Sequence, residues 1–146
     1  MSLKAALKKT GIHIPVRWVR RKLWALQLSG KDSREIFTEI YNDNKWQCEE
    51  SISGPGSTIE ETAHLRAELE KLFAELNIKT IIDAPCGDYN WFKEIKTPFD
   101  QYIGYDIVEP LIEEDNKKYK SDNVRFECKN ILEDELAEAD LFFCRD

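Results

Sequence analysis

Four short stretches of this chain carry side chains suited to holding a small polar ligand. The first is Asp83-Ala84-Pro85-Cys86-Gly87-Asp88. A tight loop of small residues brings backbone N–H groups close to a ligand, and Gly87 permits conformations and contacts that a Cβ forbids. The second is Asp106-Ile107, about 20 residues further on, where an acid is the expected partner of ribose hydroxyls. A carboxylate accepts hydrogen bonds from both hydroxyls, and Ile107 is placed to pack on an adenine face. The third is Asn130-Ile131, an amide able to read an adenine edge beside an apolar side chain for the ring. Cys144-Arg145-Asp146 completes the set. The first loop lacks G-x-G-x-x-G, so a dinucleotide pyrophosphate has no cradle and a smaller nucleoside fits better.

Each of these residues also has a purely structural reading. Asp106 can cap the following helix. Cys86 can be a small packed residue rather than a nucleophile. Trp91 can be core or pocket wall, and Arg145 and Asp146 can lie on the surface. The four cysteines, 48, 86, 128 and 144, show no C-x-x-C spacing, so no metal site is expected. His64 has no second ligand near it and reads as a surface or half-buried histidine.

The elements that must position these residues alternate in type. Residues 79–83 form a short β-branched run, a buried strand that delivers the first loop. A short helix is expected at 91–96, a strand at 101–105, and a helix at 109–119 with Pro110 in its first turn. A strand follows at 124–128, a turn or short helix at 132–137, and a fourth strand at 140–144. This βαβαβ order implies a parallel sheet with right-handed crossovers. In such a sheet the ligand lies outside the carboxyl ends of the strands, where the strand order reverses.

Upstream, Ser57-Thr58-Ile59-Glu60 fits a capping box opening a helix that ends near Asn77. Ile59, Thr62, Leu65, Leu69, Leu72 and Leu76 supply its apolar stripe. Gly54-Pro55-Gly56-Ser57 then offers either a simple turn and cap, or backbone N–H groups for an anion. Residues 33–41 read as a helix, and 42–57 as a long ordered loop. Residues 1–32 form a basic arm, with Val16, Val19, Leu23 and Leu26 at helical spacing beside Trp18 and Trp24. That arm reads as a helix packed on the domain or a partner, with an interfacial membrane helix as the alternative.

Bulk properties narrow the classes. The 146 residues suit one domain, 42% hydrophobic and 34% charged, too apolar for wholesale disorder. No run reaches the roughly 20 apolar residues of a membrane span. The net charge of -7 hides a split, because residues 1–31 hold eight basic side chains and no acid. The remainder carries 13 basic and 28 acidic residues, and such an acidic body argues against a nucleic-acid surface. Without a secretory signal, the cysteines read as reduced thiols in the cytoplasm; the basic start also has features of an organelle transit peptide.

The order of these elements resembles the class I S-adenosylmethionine-dependent methyltransferases. The wording WQCEESISGPGS, IIDAPCGDYNW, YIGYDI and ADLFFCRD is similar to a bacterial, uncharacterised subgroup of that family. The resemblance covers about residues 37–146. It departs at Tyr89, where the family's loop usually has its last glycine, and at Asn130, often Asp. It implies an α/β, Rossmann-like, mostly parallel sheet, here the first four strands of a seven-stranded methyltransferase sheet preceded by N-terminal helices. Residues 33–146 would then be a partial methyltransferase domain, truncated after the fourth strand. S-adenosyl-L-methionine is the implied cofactor: Asp83, Ala84, Pro85, Cys86 and Gly87 near its methionine part, Asp106 and Ile107 on the ribose and adenine, Asn130 and Ile131 on the adenine, and Cys144 beside the methyl donor. The methyl acceptor, small molecule or protein, and any general base stay open. An exposed fourth strand would favour a homo-oligomer. The rival reading is a non-catalytic fragment or interaction module; a nicotinamide-dependent oxidoreductase is weakened by the missing glycine pattern.

Overall fold

The computed structural model describes residues 30–145, and the readings placed on residues 1–29 and on Asp146 lie outside them. Contacts divide the chain into Met1–Asp32 and Ser33–Asp146; the second unit is described here. It contains helix α1 (Ser33–Asn42), helix α2 (Ala63–Leu76), strand β1 (Thr80–Asp83), strand β2 (Gln101–Asp106), helix α3 (Glu109–Tyr119), strand β3 (Val124–Cys128) and strand β4 (Leu141–Phe143). The architecture is α/β, with a four-stranded, all-parallel sheet in the order β3-β2-β1-β4. Among the described residues, no helix is long and apolar enough to cross a membrane.

The strand order places the reversal between β1 and β4. The chain steps outward from β1 to β2 to β3, then returns to the far side of β1. Register aligns Asp83 with Gly104 and Phe143, and Asp106 with Cys128. All four strand ends therefore open on one edge.

Side chains alternate across the pleat. On one face Ile81, Tyr102, Val124 and Phe126 meet Leu69 and Phe73 of α2, Ile112 of α3, and Tyr89, Trp91, Phe92 and Ile95 of the β1–β2 connection. On the other, Ile82, Ala84, Ile103 and Tyr105 are covered by Ile131, Leu136 and Ala139. The short helix expected at 91–96 is a single 3-10 turn, Phe92–Glu94, too short to cover the sheet by itself. The aromatic side chains of the β1–β2 connection do the covering instead: Tyr89 and Phe92 stack at 5.9 Å, and Phe92 and Tyr102 approach to 4.6 Å between ring centres.

The capping box at Ser57 does not form, and α2 begins six residues later, at Ala63. Gly54-Pro55-Gly56-Ser57 winds into a 3-10 turn, so the Ser57 N–H donates to Gly54 O (3.0 Å) and is lost to a Glu60 carboxylate. Thr58 takes over: its Oγ1 accepts from Glu61 N (3.3 Å), and its carbonyl accepts from Thr62 Oγ1 (2.7 Å). Helix α2 ends as expected, with Asn77 left-handed at φ 51° and its N–H on Phe73 O. The expected stripe is buried at Thr62 and Leu69 and packs on the core at Ile59, Leu65 and Leu72; Leu76 departs from it at 61% exposed, and Phe73 is inside instead. Strand β4 is an outer strand, with Phe142 exposed.

Candidate functional site

The carboxyl edge of the sheet gathers most of the sequence-predicted residues. Asp83, last in β1, is buried, and its Oδ2 accepts from Tyr102 Oη at 2.8 Å. Burial pushes its carboxyl up to about 7; the Asp106 charge adds to this, while the Tyr102 hydrogen bond and the Arg145 guanidinium oppose it. Asp106, last in β2, accepts from Gly87 N (3.2 Å) through Oδ2 and from Val108 N (3.0 Å) through Oδ1. One carboxylate thus ties the β1 loop to the start of α3. The helix-capping role and a ligand role are compatible, because each carboxylate oxygen has a second acceptor position. Burial raises the Asp106 carboxyl above its ordinary range, against the lowering effect of the Val108, Gly87 and Ile107 amides.

Ala84 is buried, with its N–H on Phe143 O, and the Ala84–Pro85 peptide is cis. Cys86 is buried, its N–H on Tyr105 O, and burial pushes its thiol well up. It packs as a small side chain, since a nucleophile requires a lowered thiol. Gly87 has φ 57°, and a Cβ there would stand 2.3 Å from Ser53 Oγ. The close approach that this glycine permits is therefore taken by Ser53.

Ile107 is half-buried, and its carbonyl accepts from Arg34 Nη1 of α1 (3.1 Å). The same nitrogen donates to Cys128 Sγ at 2.9 Å. Asn130 is held in a turn, its N–H on Asp134 Oδ2 and its Oδ1 accepting from Leu132 N. Its Nδ2 is the remaining donor of that side chain. Ile131 packs on the second face of the sheet. Cys144 is exposed, just past β4.

Several contacts at this edge escape local sequence patterns. Asp88 anchors the upstream loop: it accepts from Ser51 Oγ (3.1 Å), Ile52 N (3.0 Å) and Ser53 Oγ (3.3 Å), while its own N–H donates to Ser53 Oγ. Glu50 Oε1 accepts from Ile59 N (2.7 Å) and Asn90 Nδ2 (2.8 Å). Arg145 donates to Gly56 O and lies over the Trp91 ring at 5.8 Å. The stretch around 50–57 therefore folds onto the β1 loop. Its 3-10 turn spends the Ser57 and Thr58 N–H groups on Gly54 and Pro55 carbonyls, so of the two readings of that stretch the simple turn is the one that forms. The sequence signal was the co-occurrence of S-I-S and G-D-Y-N, which only a contact across 35 residues makes meaningful.

Beside this edge lies an open cleft of about 380 Å³ between α1, the 50–52 stretch, the 88–93 loop and α3. Among the described residues, no group of three His, Cys, Asp or Glu side chains is placed to hold a metal ion. Comparison with protein-family models, curated proteins and solved structures finds no match to this chain.

Proposed function

We propose that the chain binds S-adenosyl-L-methionine at the carboxyl edge of β1 and β2 and supplies the cofactor-binding half of a methyltransferase of Rossmann-like fold, acting in the cytoplasm on a small-molecule or protein acceptor. The observation that carries this reading is the Asp106 carboxylate, which ends β2 and joins the Gly87 amide of the β1 loop at 3.2 Å. A strand-end acid beside a tight glycine loop is the arrangement that recognises a ribose next to the end of a parallel sheet.

The residues present fit the cofactor. Asp106 keeps acceptor capacity for the ribose hydroxyls, Ile107 offers an apolar side, and Asn130 Nδ2 can donate to an adenine ring nitrogen. Asp83, Ala84, Pro85, Cys86 and Gly87 form the wall towards the methionine part, and Cys144 lies near the donor end. When bound, the cofactor supplies an electrophilic methyl group. This chain's own contribution is to hold and orient, and positioning alone accounts for much of the acceleration in such transfers.

Isothermal titration with S-adenosylmethionine and S-adenosylhomocysteine tests the reading. Both should bind, and Asp106→Ala should weaken binding about tenfold or more, the loss of a charge-assisted hydrogen-bond pair. Absence of binding by a folded chain, or binding indifferent to Asp106→Ala, would overturn it.

A further inference from the structure

Three buried side-chain atoms among the described residues lack a hydrogen-bond partner: Asn44 Oδ1, Arg66 Nε and Asp115 Oδ2. Arg66 still donates through Nη2 to Ile59 O, and Asn44 sits in a left-handed turn. Asp115 differs in kind. It is an acid on the middle of α3, only 2% exposed, and it lines the cleft described above. Burial turns an unpartnered carboxyl into its neutral acid, and a cation that reaches it offsets the cost of the charged form, so a cation would bind here with release of the Asp115 proton.

The protein's own cations near it are engaged elsewhere. Lys118 Nζ donates to Glu114 Oε2 (2.8 Å), and Lys93 Nζ donates to Asn90 Oδ1 (3.1 Å) and lies over Tyr119. Glu50, Asp88 and Glu114 line the same cleft as Asp115, four carboxyls against two lysines. Their local field is negative: Asp88, Asp106 and Glu114 all push the Asp115 carboxyl in the same upward direction as its burial does, against Lys118. An anion is thereby disfavoured. A divalent metal is also disfavoured, since no three-ligand group is present among the described residues. Tyr41 and Tyr119 add aromatic surface to the lining, which suits an organic cation.

We propose that this cleft is a binding site for a small organic amine, held as its ammonium ion by Asp115. The ammonium donates to the Asp115 carboxylate, whose proton leaves to solvent as the amine binds, and its carbon body lies towards Tyr41 and Tyr119. The site shares only Asp88 with the glycine-loop stretch, and the inference does not rest on the methyltransferase reading.

Amide NMR titration of the full chain with tyramine and putrescine, each beside its uncharged analogue tyrosol or 1,4-butanediol, tests this. At least one amine should shift resonances of residues 88–93 and 111–119, with an affinity at least tenfold above that of its analogue. Asp115→Asn, which keeps the shape and cannot become a carboxylate, should lower that affinity tenfold or more while preserving the remaining spectrum. The comparison of amine with analogue in the unaltered chain decides the question even if the variant folds poorly. No shift with either amine, equal affinity for the uncharged analogue, or a folded Asp115→Asn chain that binds undiminished would overturn the proposal. Displacement of the amine by S-adenosylhomocysteine would also overturn it, because the amine would then be occupying the cofactor edge.

Discussion

Tyr89 has its backbone in the left-handed region, at φ 55°, a conformation that costs a non-glycine residue about 1–2 kcal/mol. It stands where the resembled methyltransferase loop usually carries glycine, and the backbone keeps the glycine-like shape. The side chain offsets that cost. It is buried, within 4.8–5.9 Å of Tyr102, Phe126, Tyr119 and Phe92 between ring centres. It fills the space that a helix would cover in the β1–β2 connection. Removing a buried aromatic side chain costs about 3–5 kcal/mol. Tyr89→Gly should relieve the strain but lose the packing, for a net destabilisation of about 2–3 kcal/mol by urea unfolding. A neutral or stabilising result would show that the ring contributes less than its backbone strain costs.

At the scale of elements, β4 is joined to the sheet at both ends. At its carboxyl end the Phe143 carbonyl accepts from Ala84 N (2.9 Å). At its amino end Asp140 Oδ2 accepts from Lys79 N (2.9 Å), Thr80 N (2.8 Å) and Thr80 Oγ1 (3.0 Å), while Asp140 N donates back to Thr80 Oγ1. The Lys79 and Thr80 amides hold the Asp140 carboxyl below its ordinary range, so this clamp is present at neutral pH and lost in acid. Asp140→Ala should leave β1–β2 pairing intact and speed amide hydrogen exchange selectively across the β1–β4 ladder, at residues 81–84 and 141–143. Uniform exchange changes through all four strands would show that β4 does not open separately.

The extents of β2, β3 and α3 were legible in the sequence because β2 is a short run centred on aromatic and β-branched residues, β3 alternates apolar and charged residues, and α3 is a Pro-started helix, so local pattern suffices there. The start of α2 was not legible. The capping residues at 57–60 were present, but the Gly54-Pro55-Gly56 turn claimed the Ser57 N–H first. The candidate site divides the same way. Asp83, Gly87 and Asp106 follow from strand ends, a local feature. The anchoring of 50–53 on Asp88, the placement of Arg145 over Trp91, and the burial of Asp115 come from chain segments tens of residues apart, which no periodicity reports.

For the whole molecule, buried acids set the dependence of stability on pH. Burial raises Asp83 to about 7, and Asp115 to about 8, where the Asp88 charge adds to burial. Both have an unfolded value near 3.9. Between about pH 4 and 7 the folded chain therefore holds protons that the unfolded chain has released, so unfolding free energy falls as pH rises through this window. Each such group contributes a slope of at most about 1.4 kcal/mol per pH unit. Below that window the sign reverses, because Asp140, Glu68 and Glu114 have lowered carboxyls whose partners are lost on protonation. The formal charge of -7 at pH 7 acts in the same direction as the buried acids, since deprotonation adds to self-repulsion. Urea unfolding should thus show greatest stability near pH 4 and a decline towards pH 8. Asp115→Asn should flatten the decline by about 1.4 kcal/mol per pH unit over its steepest part, because the amide cannot lose the proton the fold prefers to keep. Stability that rises from pH 5 to 8, or a slope unchanged by Asp115→Asn, would mean that α3 opens enough to hydrate this acid.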